Sequence, residues 1–255
     1  MNVTSVFYKR TYFILRYLFN KYVRRNNPAP LPIILSMLVE FKSTIVDVGA
    51  NVGEWIRIVN IHAPWRENFI CFEANPDLKL PEEYKMCPVE WRNHALGGKK
   101  SSMSLIVPEN HRLGYLGNNK SQTENSRTVE VEVKLLDDIE LSNIEKNFFM
   151  KIDVEGAEKI VLDGGKDFIK NKRPTIFIET YDDFAQRHDS TSKEVLTILE
   201  DLDYQIYWIN TEDKLSKIVP SECKIIPGVF NKYIDFLAIP KEKIFRNLAT
   251  KFIMR

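Results

Sequence analysis

Residues 44–60, TIVDVGANVGEWIRIVN, restrict what this chain can fold into more than any other stretch. Thr44–Val48 is a short β-branched apolar run carrying one acid, Asp47, and it passes straight into a turn containing Gly49, Ala50, Asn51 and Gly53. The spacing of Trp55, Ile58, Val59 and His62 then predicts an amphipathic helix. A strand feeding a glycine turn that opens a helix is how an open α/β sheet cradles a nucleotide. Glycine admits positive φ and close backbone approach, and the start of the helix offers unpaired N–H groups. The plainer alternative is an ordinary strand–turn–helix in which Asn51 caps the helix.

Charge narrows the choice of ligand. No reading of DVGANVGE yields the G-x-G-x-x-G of dinucleotide folds. Asp47 instead stands two residues before the first glycine, where a carboxylate repels a pyrophosphate but attracts an ammonium. S-adenosylmethionine, with an ammonium, a sulfonium and no phosphate, fits that pattern. Asn68–Phe72 reads as a second strand, and Glu73 at its end follows Gly49 by 24 residues. That is close to the spacing at which such folds set a carboxylate on ribose hydroxyls, although solvated strand-end glutamates are common. Val89–Ala95 reads as a third strand whose tail, His94-Ala95-Leu96, falls where an adenine would lie; a packed or surface imidazole is the equal alternative for His94.

The second informative stretch is FFMKIDVEGAEKIVLDGG. Phe148–Ile152 predicts a buried strand that presents Asp153, then Glu155 and Gly156, before a helix that stops at Gly164-Gly165. Ligands of open α/β sheets bind beyond the carboxyl ends of the strands, so Asp153 and Glu155 face the site that Asp47 and Glu73 face. A fifth strand, TIFIE, ends in Glu179. Converging carboxylates at such an edge are candidates for general base, metal ligand or hydroxyl acceptor. Between predicted strands at 101–107 and 127–134 runs a long polar segment read as a substrate-covering loop, in which His111, Arg112 and Tyr115 are chemically capable. Leu135–Glu145 suggests a helix capped near Asp137 or Asp138, and Pro76 opens another. Lys193–Leu202 predicts a helix, Tyr204–Ile209 and Tyr233–Ala238 strands.

At 255 residues the chain can bury one sizeable α/β core with appendages. Three scattered cysteines (Cys71, Cys87, Cys223) suggest neither a disulfide framework nor a zinc site, which implies a reduced, cytoplasmic setting. Apolar runs near the start are broken by Arg16 and Lys21, so neither a signal peptide nor a spanning helix is expected. Residues 1–25 carry six basic residues and no acid, and 241–255 carry +4; with +1 overall, residues 26–240 hold −9. An acidic middle without a base-stacking motif argues against nucleic acid as partner. Tyr8, Tyr12, Leu15, Phe19 and Tyr22 recur at helical spacing, as do Ile244, Phe245, Leu248 and Phe252. These basic amphipathic ends suit peripheral contact at the inner face of a membrane, or packing on the domain itself or on a homodimer mate. The expected organisation is an extension over 1–40, a domain over 41–240 and a terminal helix over 241–255.

With both motifs in hand, the chain resembles the FkbM family of S-adenosylmethionine-dependent methyltransferases. The resemblance rests on DVGANVGE (47–54), FEANP (72–76), ALG (95–97), LLDDI (135–139), KIDVEGAE (151–158) and the strand ending in Glu179. It implies a doubly wound, seven-stranded, mostly parallel Rossmann-like sheet preceded by an N-terminal helical extension. It further implies O-methylation of a hydroxyl on a saccharide, polysaccharide or other small metabolite. Carried over by position, Asp47, Gly49, Ala50, Asn51 and Gly53 would shape the methionine side of the cofactor pocket. Glu73 and Ala74 would take the ribose, and His94, Ala95 and Leu96 the adenine. Asp153 would sit beside the sulfonium and act as base with Glu155 orienting; alternatively Asp153 and Glu179 would hold a divalent cation that acidifies the acceptor hydroxyl. Methylation of RNA or protein, or a scaffold without turnover, are the competing readings.

Overall fold

Thr44–Val48 (β1), Asn68–Phe72 (β2), Phe148–Ile152 (β8) and Thr175–Thr180 (β9) are short, mostly apolar runs, whereas Val89–Arg92 (β3), VEWR, is half charged and lies at the sheet edge. Runs of that kind suit strands covered on both faces, and every residue of β1 and β8 is buried. A computed structural model describes residues 35, 38–84, 88–108, 114–117, 126–140, 147–209, 215–221 and 234–244. Its larger sheet also contains Tyr204–Ile209 (β10), Leu215–Ile218 (β11) and Ile234–Pro240 (β12), in the order β11-β10-β12-β9-β8-β1-β2-β3. The five strands from β9 to β3 run parallel, and β12, β10 and β11 extend the sheet antiparallel. The sheet therefore has eight mixed strands rather than seven, because Leu215–Ile218 adds an edge strand opposite Ile206–Ile209. The first β-branched run is the middle one of the five parallel strands.

One face packs Val46, Ile70, Met150 and Ile178 against helices Glu158–Asp163 (α2), Lys166–Lys172 (α3) and Ser192–Asp201 (α5). The other face packs Ile45, Phe69, Phe149 and Phe177 around Ile56 and Val59 of helix Glu54–His62 (α1) and around Leu35 and Leu38. Helix α5 starts with a capping box in which Thr191 and Glu194 bond each other's backbone N–H groups. Asp182–Ala185 (α4) follows β9, and Lys241–Ile244 (α6) follows β12.

A second sheet, Ala95–Leu96 (β4), Ser126–Lys134 (β7), Ser101–Pro108 (β5) and Tyr115–Leu116 (β6), lies in the order β4-β7-β5-β6. Its apolar side, including Leu105, Leu116 and Val131, packs on Ala157. The single strand expected over 89–95 is in fact two. The chain turns at Asn93 and His94, the His94 N–H donating back to Arg92 O at 3.1 Å, so that Ala95 pairs with Val133 of β7 instead. The expected helix over 135–145 is a single 3₁₀ turn at Leu136–Asp138 within the described residues. Its acid is used elsewhere: Asp137 accepts from the N–H groups of Phe168 (2.6 Å) and Asp167 (3.2 Å), capping α3. After Pro76 the described residues likewise form only a 3₁₀ turn, Glu82–Tyr84, before β3. The basic helix expected over residues 1–25, most of the polar segment with His111 and Arg112, and the tail beyond Ile244 lie outside the described residues.

Candidate functional site

At the carboxyl ends of β1, β2 and β8 the two informative stretches meet around a cavity of about 340 Å³, a size suited to a small ligand. Gly49, Ala50 and Asn51 form one wall, Glu73 and Ala74 a second, and His94, Ala95 and Leu96 a third. Asp153 and Glu155 close the fourth side, and Leu105 and Leu116 of the smaller sheet also line the cavity. Three expected residues do not line it. Asp47 is completely buried behind the turn, Gly53 serves as the αL N-cap of α1 at φ 77°, and Glu179 lies further along the sheet edge.

The turn is built by backbone chemistry. Gly49 sits at φ 80°, and its N–H and that of Ala50 both donate to Phe72 O, at 2.9 and 3.0 Å. Asn51, also at positive φ, donates its N–H to Glu73 Oε2 at 2.7 Å, and Asn75 N–H donates to Glu73 Oε1 at 2.7 Å. The carboxylate expected to meet ribose is thus also what fastens the glycine turn to the end of β2. Burial pushes the Glu73 carboxyl up, and the two N–H donors oppose it. Asn51 does not cap α1, whose N-cap has no side-chain acceptor. Nδ2 of Asn75 and Nε2 of His94, both on cavity-lining residues, are buried without a hydrogen-bond partner among the described residues. Burial holds the His94 imidazole below its usual range, so it is neutral near pH 7.

Lys151 is the site residue that motif reading missed. It is the penultimate residue of β8, in register with Asp47, and is 4 % exposed. Its ammonium donates to Gly49 O at 2.7 Å and lies 3.2 Å from Asp153 Oδ2 and 3.3 Å from Asp47 Oδ1. Burial alone would push Lys151 down, but the Asp47 and Asp153 carboxylates outweigh it and hold the ammonium above its ordinary range. The signal was present: a lone lysine inside FFMKI must be paired if the strand is buried. What the sequence lacked was the partner 102 residues away.

A group of acids extends from Asp153 along the sheet edge. Burial and the neighbouring Asp153 raise Glu155 to about 7 and Glu179 to about 8, and the same causes raise Asp235, opposite Glu179 in β12, to about 6. Glu155 stands at φ 55°. Arg187 donates to its carbonyl at 3.3 Å while its guanidinium lies over the rings of Tyr115 (4.1 Å) and Phe184 (4.0 Å). Tyr115, expected in a covering loop, thus belongs to a strand fixed beside the site. Among the described residues no group of three or more His, Cys, Asp or Glu side chains is arranged to hold a metal ion. The cation expected between Asp153 and Glu179 therefore finds no ligand set. No helix among the described residues is long and apolar enough to cross a membrane.

Comparison with known proteins gives one family. The family model of the Methyltransferase FkbM domain matches residues 47–206, more than half of the chain. No curated protein is significantly similar to it. Among solved structures, the chain is similar to a methyltransferase FkbM from Methylobacillus flagellatus KT (16 % identity, TM-score 0.48), covering 93 % of this chain but only 58 % of that one. It is also similar to a precorrin-6y C5,15-methyltransferase from Geobacter metallireducens GS-15, at 13 % identity and TM-score 0.37, covering 81 % and 85 % of the two chains. A third is the plantazolicin methyltransferase BpumL in complex with SAH, at 7 % identity and TM-score 0.36, covering 91 % and 88 %. At these levels the structural likenesses establish neither cofactor nor acceptor for this chain.

Proposed function

Because the chain belongs to the methyltransferase FkbM domain family, we propose that it transfers the methyl group of S-adenosylmethionine to a hydroxyl oxygen of a saccharide, glycan or similar hydroxylated metabolite. One observation above all supports this: the glycine turn, Glu73 and the pair Asp153–Glu155 wall a single cavity. The unsatisfied Asn75 Nδ2 and His94 Nε2 are polar atoms that a nucleoside would satisfy. An RNA acceptor is disfavoured by the −9 charge of residues 26–240.

The cofactor supplies a methyl group already activated on a sulfonium, which leaves alignment, water exclusion and proton removal to the protein. Gly49, Ala50 and Asn51 bring backbone close to the bound molecule. Leu105 and Leu116 add apolar lining to the cavity. An alcohol attacks poorly until its proton leaves, so a base must stand by. Motif position favours Asp153 for this step. Glu155 is the better choice, because Asp153 is engaged by Lys151 while Glu155, at about 7, is poised to take a proton near neutrality. Asp153 then serves as the fixed negative charge beside the sulfonium.

The decisive experiment is isothermal titration of the protein with S-adenosylmethionine, followed by a hydroxyl-acceptor screen with and without chelator. Micromolar binding and methyl transfer to a polyol support the proposal. Absence of binding, with a nicotinamide or triphosphate nucleotide bound in its place, removes it.

A further inference from the structure

We propose that Lys151 is the positioning residue of this site, holding the cofactor turn and the acceptor-side acid in fixed relation; this rests on the methyl-transfer reading above. An ammonium buried in a strand persists only where acceptors meet it. Lys151 donates to Gly49 O at 2.7 Å and forms ion pairs with Asp153 Oδ2 at 3.2 Å and Asp47 Oδ1 at 3.3 Å. Held charged between two carboxylates, it is not the base that removes a proton. Lys151 touches the cavity wall itself, and its contacts to Gly49 and Asp153 tie two further lining residues together.

The three acceptors have different positions. Asp47 is wholly buried behind the turn, where it serves as counter-ion. Gly49 O belongs to the turn peptide at φ 80°, and Asp153 follows the last residue of β8 with its side chain 30 % exposed. One ammonium therefore ties a fixed anchor to two cavity-lining groups from adjacent parallel strands. Two carboxylates around one ammonium leave a net −1 beside Gly49. That sign attracts a sulfonium and is indifferent to the neutral thioether left after transfer. The preference depends on where Asp153 is held as much as on the charge itself.

Bland charge balance for Asp47 is the rival explanation, and affinity ratios separate the two. The full chain would be titrated calorimetrically with S-adenosylmethionine and with S-adenosylhomocysteine. Three proteins are compared: unmodified, the double variant Asp47→Asn/Lys151→Met, and Lys151→Arg. The double variant keeps the local net charge at −1 but removes the ammonium. Arginine keeps the charge but replaces a compact three-way donor by a planar fork. If Lys151 positions Asp153 and Gly49, both variants lose at least fivefold of the unmodified protein's preference for the sulfonium form. A double variant that melts normally and keeps the original ratio overturns the proposal. Should the double variant not fold, an unchanged ratio in Lys151→Arg overturns it equally. If the unmodified protein binds neither molecule, the cofactor reading itself fails and this proposal falls with it.

Discussion

A Cβ atom on Gly49 would lie 1.8 Å from the backbone carbonyl oxygen of Asp153. The turn after β1 and the end of β8 are thus in backbone contact, and Asp153 N–H donates to Val48 O at 3.1 Å in the same place. Gly49→Ala combines that clash with a positive φ that an L side chain rarely adopts. It should destabilise the protein by about 3 kcal/mol or more and abolish cofactor binding. Thermal melts and calorimetric titration check both; a normally folded, cofactor-binding Gly49→Ala protein would contradict this geometry.

Glu155 titrates at about 7, inside the working range of most assays. If it accepts the acceptor's proton, kcat should rise with pH through about 7, since only the ionised form is a base. Glu155→Gln should remove that limb and lower kcat by about 10²- to 10⁴-fold. A pH–rate profile of both proteins decides it, and an unchanged limb in the variant would take the role from Glu155.

Asp153→Asn keeps the side chain's size while removing its charge. Binding of S-adenosylmethionine is expected to fall only modestly, because the turn and Glu73 remain, whereas kcat should drop about 100-fold or more with the lost electrostatic support of the reacting centre. Single-turnover kinetics beside calorimetry separate the two effects. Normal turnover would remove Asp153 from the chemistry.

Glu179 and Asp235 stand opposite each other across β9 and β12, raised to about 8 and about 6. The folded state therefore holds the Glu179 proton more tightly than the unfolded chain, whose glutamate titrates near 4.5. Stability contributed by this group is full below about 4.5 and is lost as pH rises through about 8. Glu179→Gln should leave the melting temperature unchanged at pH 4.5. At pH 9 it should stabilise by about 1–2 kcal/mol, a figure reduced for partial solvent screening. Urea titrations at the two pH values measure this, and equal effects at both would refute the linkage.

Much of the site was legible because it is written in local rules. A β-branched run followed by Gly49 and Gly53 can only be a strand and a positive-φ turn, and the acid after Phe72 follows from spacing. Asp153 and Glu155 could be placed at the same edge because parallel strands all end on one side. Other features depended on contacts between distant residues. Asp137 reads as a helix cap for its own segment, yet it caps α3, thirty residues on. The run 89–95 reads as one strand, but its last residue, Ala95, is drawn away together with Leu96 by Val133 and Lys134 of β7.

The sequence by itself determined the alternation of strand and helix, the glycine turn and the acids at the strand ends, since backbone sterics and short-range spacing fix those. Only the tertiary structure decided that Asp47 would be sealed behind the turn and that Lys151 would answer it and Asp153 together. It likewise decided that Glu155 and Glu179 would be raised toward neutrality. Burial and ion pairing depend on which side chains the sheet order brings within a few ångströms, and no local pattern encodes a partner a hundred residues away.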